Sequence, residues 1–435
     1  MWRSFLKLWR SASVQARPQV RRRRSLRPTL EGLEDRTVPS TFTAATASDL
    51  IADINAANLA GGSNTITLAP NVTFDLTEVN NTTDGATGLP VIAANDNLTI
   101  SGQGGDIIQR DPAALERVLD VGKGASLTLQ NLTLQNGYAF GSGVSAEGGG
   151  IYTQGLLILN GVTIQDNVAQ GSSGVTQVTR KNSSGTNGNS AAGGGIYSTG
   201  TLTLEGGTVV QGNQALGGAG GSAGYKGNGG NGGNGSGGGL YIGGGTVNLE
   251  TGTLVQSNQA VGGGGGDYRG SGKGGNAGNG SGGGLYIGGG TVNLTNSTLS
   301  HNDVRGGPFG RAILPTTVGH TGVGVGGRFG SSGTGCGGGL YVASGSVTLS
   351  SDTVDYNGHD ATDGVWGGGI YAGGGSLTLL HDTVEFNTVN NYGGGIYIID
   401  ARVCKVCLDA FTVANVIDNT ANWGGPNIYG PYTTC

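Results

Sequence analysis

Short bursts of alternating apolar and polar residues begin near residue 64. Thr65-Ile66-Thr67-Leu68, Leu98-Thr99-Ile100 and Leu127-Thr128-Leu129 read as strands with one buried face. The alternation then settles into a repeating unit: Gly-Gly-Gly, Ile or Leu, Tyr, a strand, a bend, another strand and an Asn. Seven units carry Tyr152, Tyr197, Tyr241, Tyr286, Tyr341, Tyr371 and Tyr397, and Tyr429 in Gly-Gly-Pro-Asn-Ile-Tyr is a worn eighth copy. Ile151-Tyr152 leads to Leu157, Leu159, Ile164 and Asn167; Ile370-Tyr371 leads to Leu377, Leu379, Val384 and Asn387. A unit that cannot bury its own apolar face must stack on copies of itself. Three short strands per unit predict an all-β fold, a parallel β-helix over 64–435, with Ile and Leu inward and Tyr outward.

Ahead of the strands, residues 41–63 predict a cap. Ser48 can start a short helix over 48–57 that places Leu50, Ile51, Ile54 and Ala57 on one face. Such a helix covers an apolar end and an unpaired sheet edge.

The Asn positions form a second column: Asn136, Asn167, Asn213, Asn258, Asn302, Asn357, Asn387 and Asn419. Asn tolerates a left-handed bend, and its amide can bond the rungs above and below, so the column reads as a structural ladder. The Tyr column reads as surface packing or as a stacking track for sugar rings or a partner. Between each Asn and the next Gly triplet lie inserts, long at 168–192, 214–236, 259–281 and 303–336 and short at 358–366 and 388–392. They occupy one point of the rung and predict a glycine-rich fringe on one corner, flexible or polyglycine-like. Residues 234–249 recur identically at 279–294, as expected of a scaffold grown by copying.

Composition narrows the classes. Glycine supplies 93 of 435 residues, about three times its usual share, and charged residues only 12%. Residues 1–39 hold ten of the 23 Lys and Arg. The remainder has 13 basic and 25 acidic residues, a net charge near −12, which argues against nucleic acid as partner. No run of about 18 apolar residues provides a membrane helix, and the C-terminal region is too short for a membrane barrel.

Three resemblances complete the picture. Leu30-Glu31-Gly32-Leu33-Glu34-Asp35-Arg36-Thr37-Val38-Pro39-Ser40 resembles the N-terminal sorting motif of planctomycete extracellular proteins. It implies that residues 1–40 are a basic export segment and that the protein is extracellular or on the cell surface. Over about residues 64–430, the Gly-Gly-Gly-Ile-Tyr units and spaced Asn resemble the repeats of chlamydial polymorphic outer membrane proteins. They also look like the pectin-lyase-like right-handed β-helix superfamily, which implies a right-handed parallel β-helix. The usual Phe of the chlamydial repeat is absent except at Phe386, as is the C-terminal barrel. The chlamydial resemblance implies surface exposure and adhesion, with polysaccharide or another surface protein as partner.

The lyases of the pectin-lyase-like superfamily need carboxylates plus an Arg or Lys base, and its hydrolases need clustered Asp. Asp352, Asp355, Asp382 and Glu385, with His381 alongside, are the best constellation here. They occupy matching places in adjacent rungs and predict a small acidic patch, the seat of an alternative lyase or glycosidase activity. Cys404 and Cys407 have metal or redox spacing, but Cys336 and Cys435 supply no second close pair. A disulfide at the final rung is the expected use, with Cys435 free to pair with any of the others. No cofactor or metal is expected. The preferred reading is a non-catalytic exported scaffold for adhesion.

Overall fold

The computed structural model describes residues 39–313, 327–359 and 364–435. The chain divides into two units, residues 1–36 and 37–435, and the described residues all belong to the second. The expected export segment up to residue 38 lies outside them.

The second unit is a parallel β-helix. Every named strand pair is parallel, and equivalent residues of successive units face each other: Leu240 pairs with Leu285, Tyr241 with Tyr286 and Val247 with Val292. One rung runs through Leu240–Ile242, Thr246–Leu249 and Leu254–Gln256, the three strands expected. It adds two more, Gln259–Val261 just after the Asn and the two-residue strand Gly280–Ser281 before the next Gly triplet. These last strands lie inside the predicted inserts, whose ends are therefore part of the coil. Inward positions such as Leu240, Ile242, Val247, Leu249 and Val255 are wholly or almost wholly buried. They join one apolar column that runs from Ala44 to Val416.

The cap helix spans Ala47–Ala60. Its N-cap is Thr46, not Ser48: Asp49 N–H donates to Thr46 Oγ1 at 3.2 Å and Thr46 N–H to Asp49 Oδ2 at 3.0 Å. That reciprocal box satisfies two free donors at once, which Ser48 is placed too late to do. Leu50, Ile54 and Ala57 are buried.

The described residues of the long inserts form an ordered lattice. Each leaves the coil and returns beside itself: N–H of Gly233, Gly230 and Gly227 donate to carbonyls of Gly218, Gly221 and Gly224. Successive inserts pair as well, Gly220, Ala223, Gly229 and Gly232 donating to Gly264, Asp267, Lys273 and Asn276. Bonding at every third residue is the signature of extended left-handed helices with three residues per turn. Glycine is needed here for closeness, since none of these glycines has positive φ. A Cβ on Gly221, Gly230 or Gly275 would collide with the carbonyl oxygen of Val175, Thr186 or Gly230 in the neighbouring insert.

Candidate functional site

The asparagines form an unbroken side-chain ladder from Asn167 to Asn419. The backbone N–H and side-chain amide of Asn213 both reach Asn258 Oδ1 at 3.0 Å. Asn258 does the same to Asn302 Oδ1 at 3.1 and 3.0 Å, and its second amide hydrogen goes to Val210 O at 2.9 Å. The pattern continues through Asn357 and Asn387 to Asn419, which passes it to Asn427. Asn167, Asn213, Asn258 and Asn387 have no exposure, Asn302 and Asn357 almost none, so the ladder offers no surface to a ligand.

Two details differ from the sequence reading. The left-handed bend belongs to the residue before each ladder Asn: Asp166, Ser257, His301, Tyr356 and Phe386 have φ between 51° and 54°. Asn136 is itself such a bend residue (φ 61°), one position off the ladder, and Gly137 N–H bonds Asn167 Oδ1 in its stead. The last Gly of each triplet lies against the Asn amide, where a Cβ on Gly239 would stand 3.0 Å from Asn258 Nδ2.

The tyrosines stack face to face from Tyr152 to Tyr429. Centroids between Tyr197 and Tyr241, and between Tyr241 and Tyr286, are 4.9 Å apart with planes within 6°. The column continues through Tyr341, Tyr371 and Tyr397 at 4.9–5.2 Å to Tyr429. Inside the column each ring has its two faces turned to its neighbours, so only edges are left for a ligand and no sugar can lie on a face. Burial raises the phenol pKa values from Tyr152 to Tyr397, that of Tyr341 to about 12. The first ring is capped by the Arg117 guanidinium, 4.9 Å from the Tyr152 centroid.

The acidic constellation divides in two. Asp352 and Asp382 are buried under a second bend, in a ladder of their own. Asp352 Oδ1 accepts from Ser297 N–H at 2.6 Å and Asp382 Oδ1 from Asp352 N–H at 2.7 Å. Their other oxygens accept from Ser350 N–H and Leu380 N–H at 2.7 and 2.8 Å. Thr412 Oγ1 closes the series by accepting from Asp382 N–H. Desolvation outweighs these bonds and pushes Asp352 up to about 6 and Asp382, which also feels Asp352 and Asp409, to about 7. Asp355 and Glu385 are paired neighbours on the other, outward side of their strands. The patch predicted from spacing is therefore two pairs, one spent on backbone donors. His381 turns to Asp409, 2.9 Å away, and stacks on Phe411. Among the described residues, no group of three His, Cys, Asp or Glu is placed to hold a metal ion.

Cys407 pairs with Cys435, while Cys336 and Cys404 are free thiols. Strand alternation explains the choice: in Cys404–Leu408, Cys404 is buried and Cys407 lies on the opposite face. A three-residue offset in a strand thus separates two cysteines that the same spacing in a loop would join.

Sequence reasoning missed a buried charged cluster at the start of the Tyr column. Asp120 pairs in register with Tyr152, occupying the column one rung earlier. It is wholly buried, and desolvation raises its pKa to about 6 against the pull of Arg117. Arg117, only 4% exposed, donates to the carbonyls of Asp84 and Glu147 at 2.8 and 3.0 Å. The available signal was Leu119-Asp120-Val121, which has the Ile-Tyr-Thr pattern with a carboxylate in the Tyr position. Closed from solvent and tied to the first ring, the cluster caps the column.

No protein-family model matches the chain. No curated protein matches it either. Among solved structures it is similar to the A-module of a mannuronan C-5 epimerase from Azotobacter vinelandii, at 12% identity and a TM-score of 0.28 over 89% of this chain and 95% of that one. At that score the likeness carries no argument, and the parallel β-helix rests on the strand register described above.

Proposed function

We propose that this protein is an exported, non-catalytic scaffold that binds carbohydrate at the cell surface, with the insert lattice as its binding organ. The observation carrying this reading is where the chemistry-bearing side chains go. The Asn column, Asp352 and Asp382 bond the backbone of neighbouring rungs, the Tyr faces cover one another, and Arg117 caps them. What projects from the coil instead is a stiff plate with exposed polar columns. Asn231 and Asn234 accept from the N–H of Asn276 and Asn279, and those in turn from Ser331 and Thr334, all at 2.8–3.1 Å. These side-chain oxygens are used between inserts, which leaves the amide N–H groups of the asparagines free to meet sugar hydroxyls. The basic leader and the acidic sorting-type motif that follows it support export.

The test is a panel of neutral and acidic polysaccharides incubated with the full chain, reading both retention and release of reducing or unsaturated ends. Retention without release is expected. Release that disappears in Asp355→Ala with Glu385→Ala would replace this reading with an enzyme.

A further inference from the structure

We propose that the outer edge of the insert lattice is a binding site for an acidic polysaccharide, one bearing carboxylate or sulfate groups. The inference rests on the carbohydrate-binding reading above and names the ligand class. Outside residues 1–39 the chain is acidic, yet its inserts reverse the sign. Within 172–190, 217–234, 262–279 and 306–334 there are seven Lys and Arg and one carboxylate, Asp267.

Their placement is more selective than their number. In the first insert the paired flanks close with Thr186 N–H on Val175 O, and Arg180 and Lys181 lie beyond that bond. In the second, the Gly227–Gly224 bond encloses Lys226; in the third, the Gly275–Gly266 bond encloses Arg269 and Lys273. In the fourth, the Gly330–Gly310 bond stands just inside Arg311 and Arg328. Within those ranges every cation therefore sits at the outer turn and none on the flanks, where the glycine contacts leave no room; Arg305, at the foot of the fourth insert, turns to Asp303 instead.

Stacking brings these turns together. Lys273 bridges to Arg328 in the next insert, and Tyr225 bridges to Arg269. Placing like charges on adjacent strands costs stability, so nothing in the fold demands it. Exposed rings accompany them: Tyr225 is 51% and Phe329 60% exposed, with the Arg311 guanidinium 5.5 Å over Phe309. Cations for acidic groups beside aromatic faces for the apolar side of a sugar ring are the two needs of an acidic polysaccharide. The Asn columns continue the polar surface inward from this edge.

The experiment measures binding of the full chain to polygalacturonate, dextran sulfate, unmodified dextran and double-stranded DNA at low and moderate salt. It compares wild type with Lys226→Gln/Arg269→Gln/Lys273→Gln/Arg328→Gln, and with Arg402→Gln/Lys405→Gln as a control on the body. Circular dichroism first checks that each variant is folded. The expected result is binding to at least one acidic polysaccharide that weakens with salt, falls at least tenfold in the quadruple variant and is unchanged in the control. Polygalacturonate and dextran sulfate separate carboxylate from sulfate as the preferred group. Binding to dextran alone, equal in all three proteins, would overturn this inference and leave the carbohydrate scaffold standing. Tighter binding to DNA than to any polysaccharide, or equal losses in the control, would overturn it too. No binding to any polysaccharide would overturn both readings.

Discussion

The coil and the lattice that projects from it solve one problem with opposite means. Both stack chain on chain with hydrogen bonds between rungs. The coil specifies its stacking through side chains, with an apolar column inside and amide or carboxylate ladders at its bends. The lattice specifies its stacking by having almost no side chains, so that backbones approach until a methyl group would not fit. The first arrangement tolerates varied surface residues and fails when a buried partner is lost. The second needs little core, with Tyr268 as its large buried side chain, and fails when anything is added to its glycine flanks.

The largest effect should come from the coil. Asn258→Ala strips acceptors from Asn213 N–H and its side-chain amide and leaves Val210 O without its donor. Each buried group left unpaired costs about 1–3 kcal/mol, so a loss of roughly 3 kcal/mol or more is expected in denaturant unfolding. A loss under about 1 kcal/mol would mean that the ladder is ornament. Next comes the lattice: Gly275→Ala should cost about 1–3 kcal/mol through overpacking. The damage should stay local, appearing as new protease cleavage within 262–279 while the main melting transition barely moves. A cooperative loss of the whole coil would show that the two regions are one unit.

The smallest effect separates the two bend ladders. Asp352 and Asp382 titrate higher in the folded chain, to about 6 and about 7, than their ordinary value of 3.8. Between those values the folded state holds more protons than the unfolded one. Their contribution is therefore level above about pH 7, grows as pH falls toward 4 and is level again below that. Asp382→Asn should flatten this slope. At pH 8 it should change stability by less than about 1 kcal/mol, because relief of a buried charge offsets the acceptor lost to Leu380 N–H. An unchanged slope from pH 4 to 8 would place the titrating groups elsewhere, with Asp120 the next candidate.

The coil was legible because its period is written in residues that are buried or bent. Ile and Leu at alternate positions, Gly before them and Asn after them each answer one local demand. Thr46 was missed because Ser48 and Thr46 are equally good caps by type, and only the position of Asp49 decides between them. The acidic patch was misplaced for a related reason. Matching positions in adjacent rungs revealed which carboxylates are neighbours, but alternation along the extended stretch from Asp352 to Asp355 puts these two, three residues apart, on opposite sides. The lattice was legible as an insert of fixed origin but open between flexible and polyglycine-like, since only the stacking of its copies decides between them. The cations at its turns were visible in the sequence, yet their convergence needed the register.

The tyrosine column has an optical consequence. Seven successive ring pairs, 4.9–5.3 Å apart and within 15° of parallel, form a line of transition dipoles close enough to share an excitation. Light absorbed by any one phenol becomes the property of several rungs, so the near-ultraviolet circular dichroism should be coupled in origin and should collapse when the stack is interrupted at its middle. The protein carries its own gauge of how many consecutive rungs are in register.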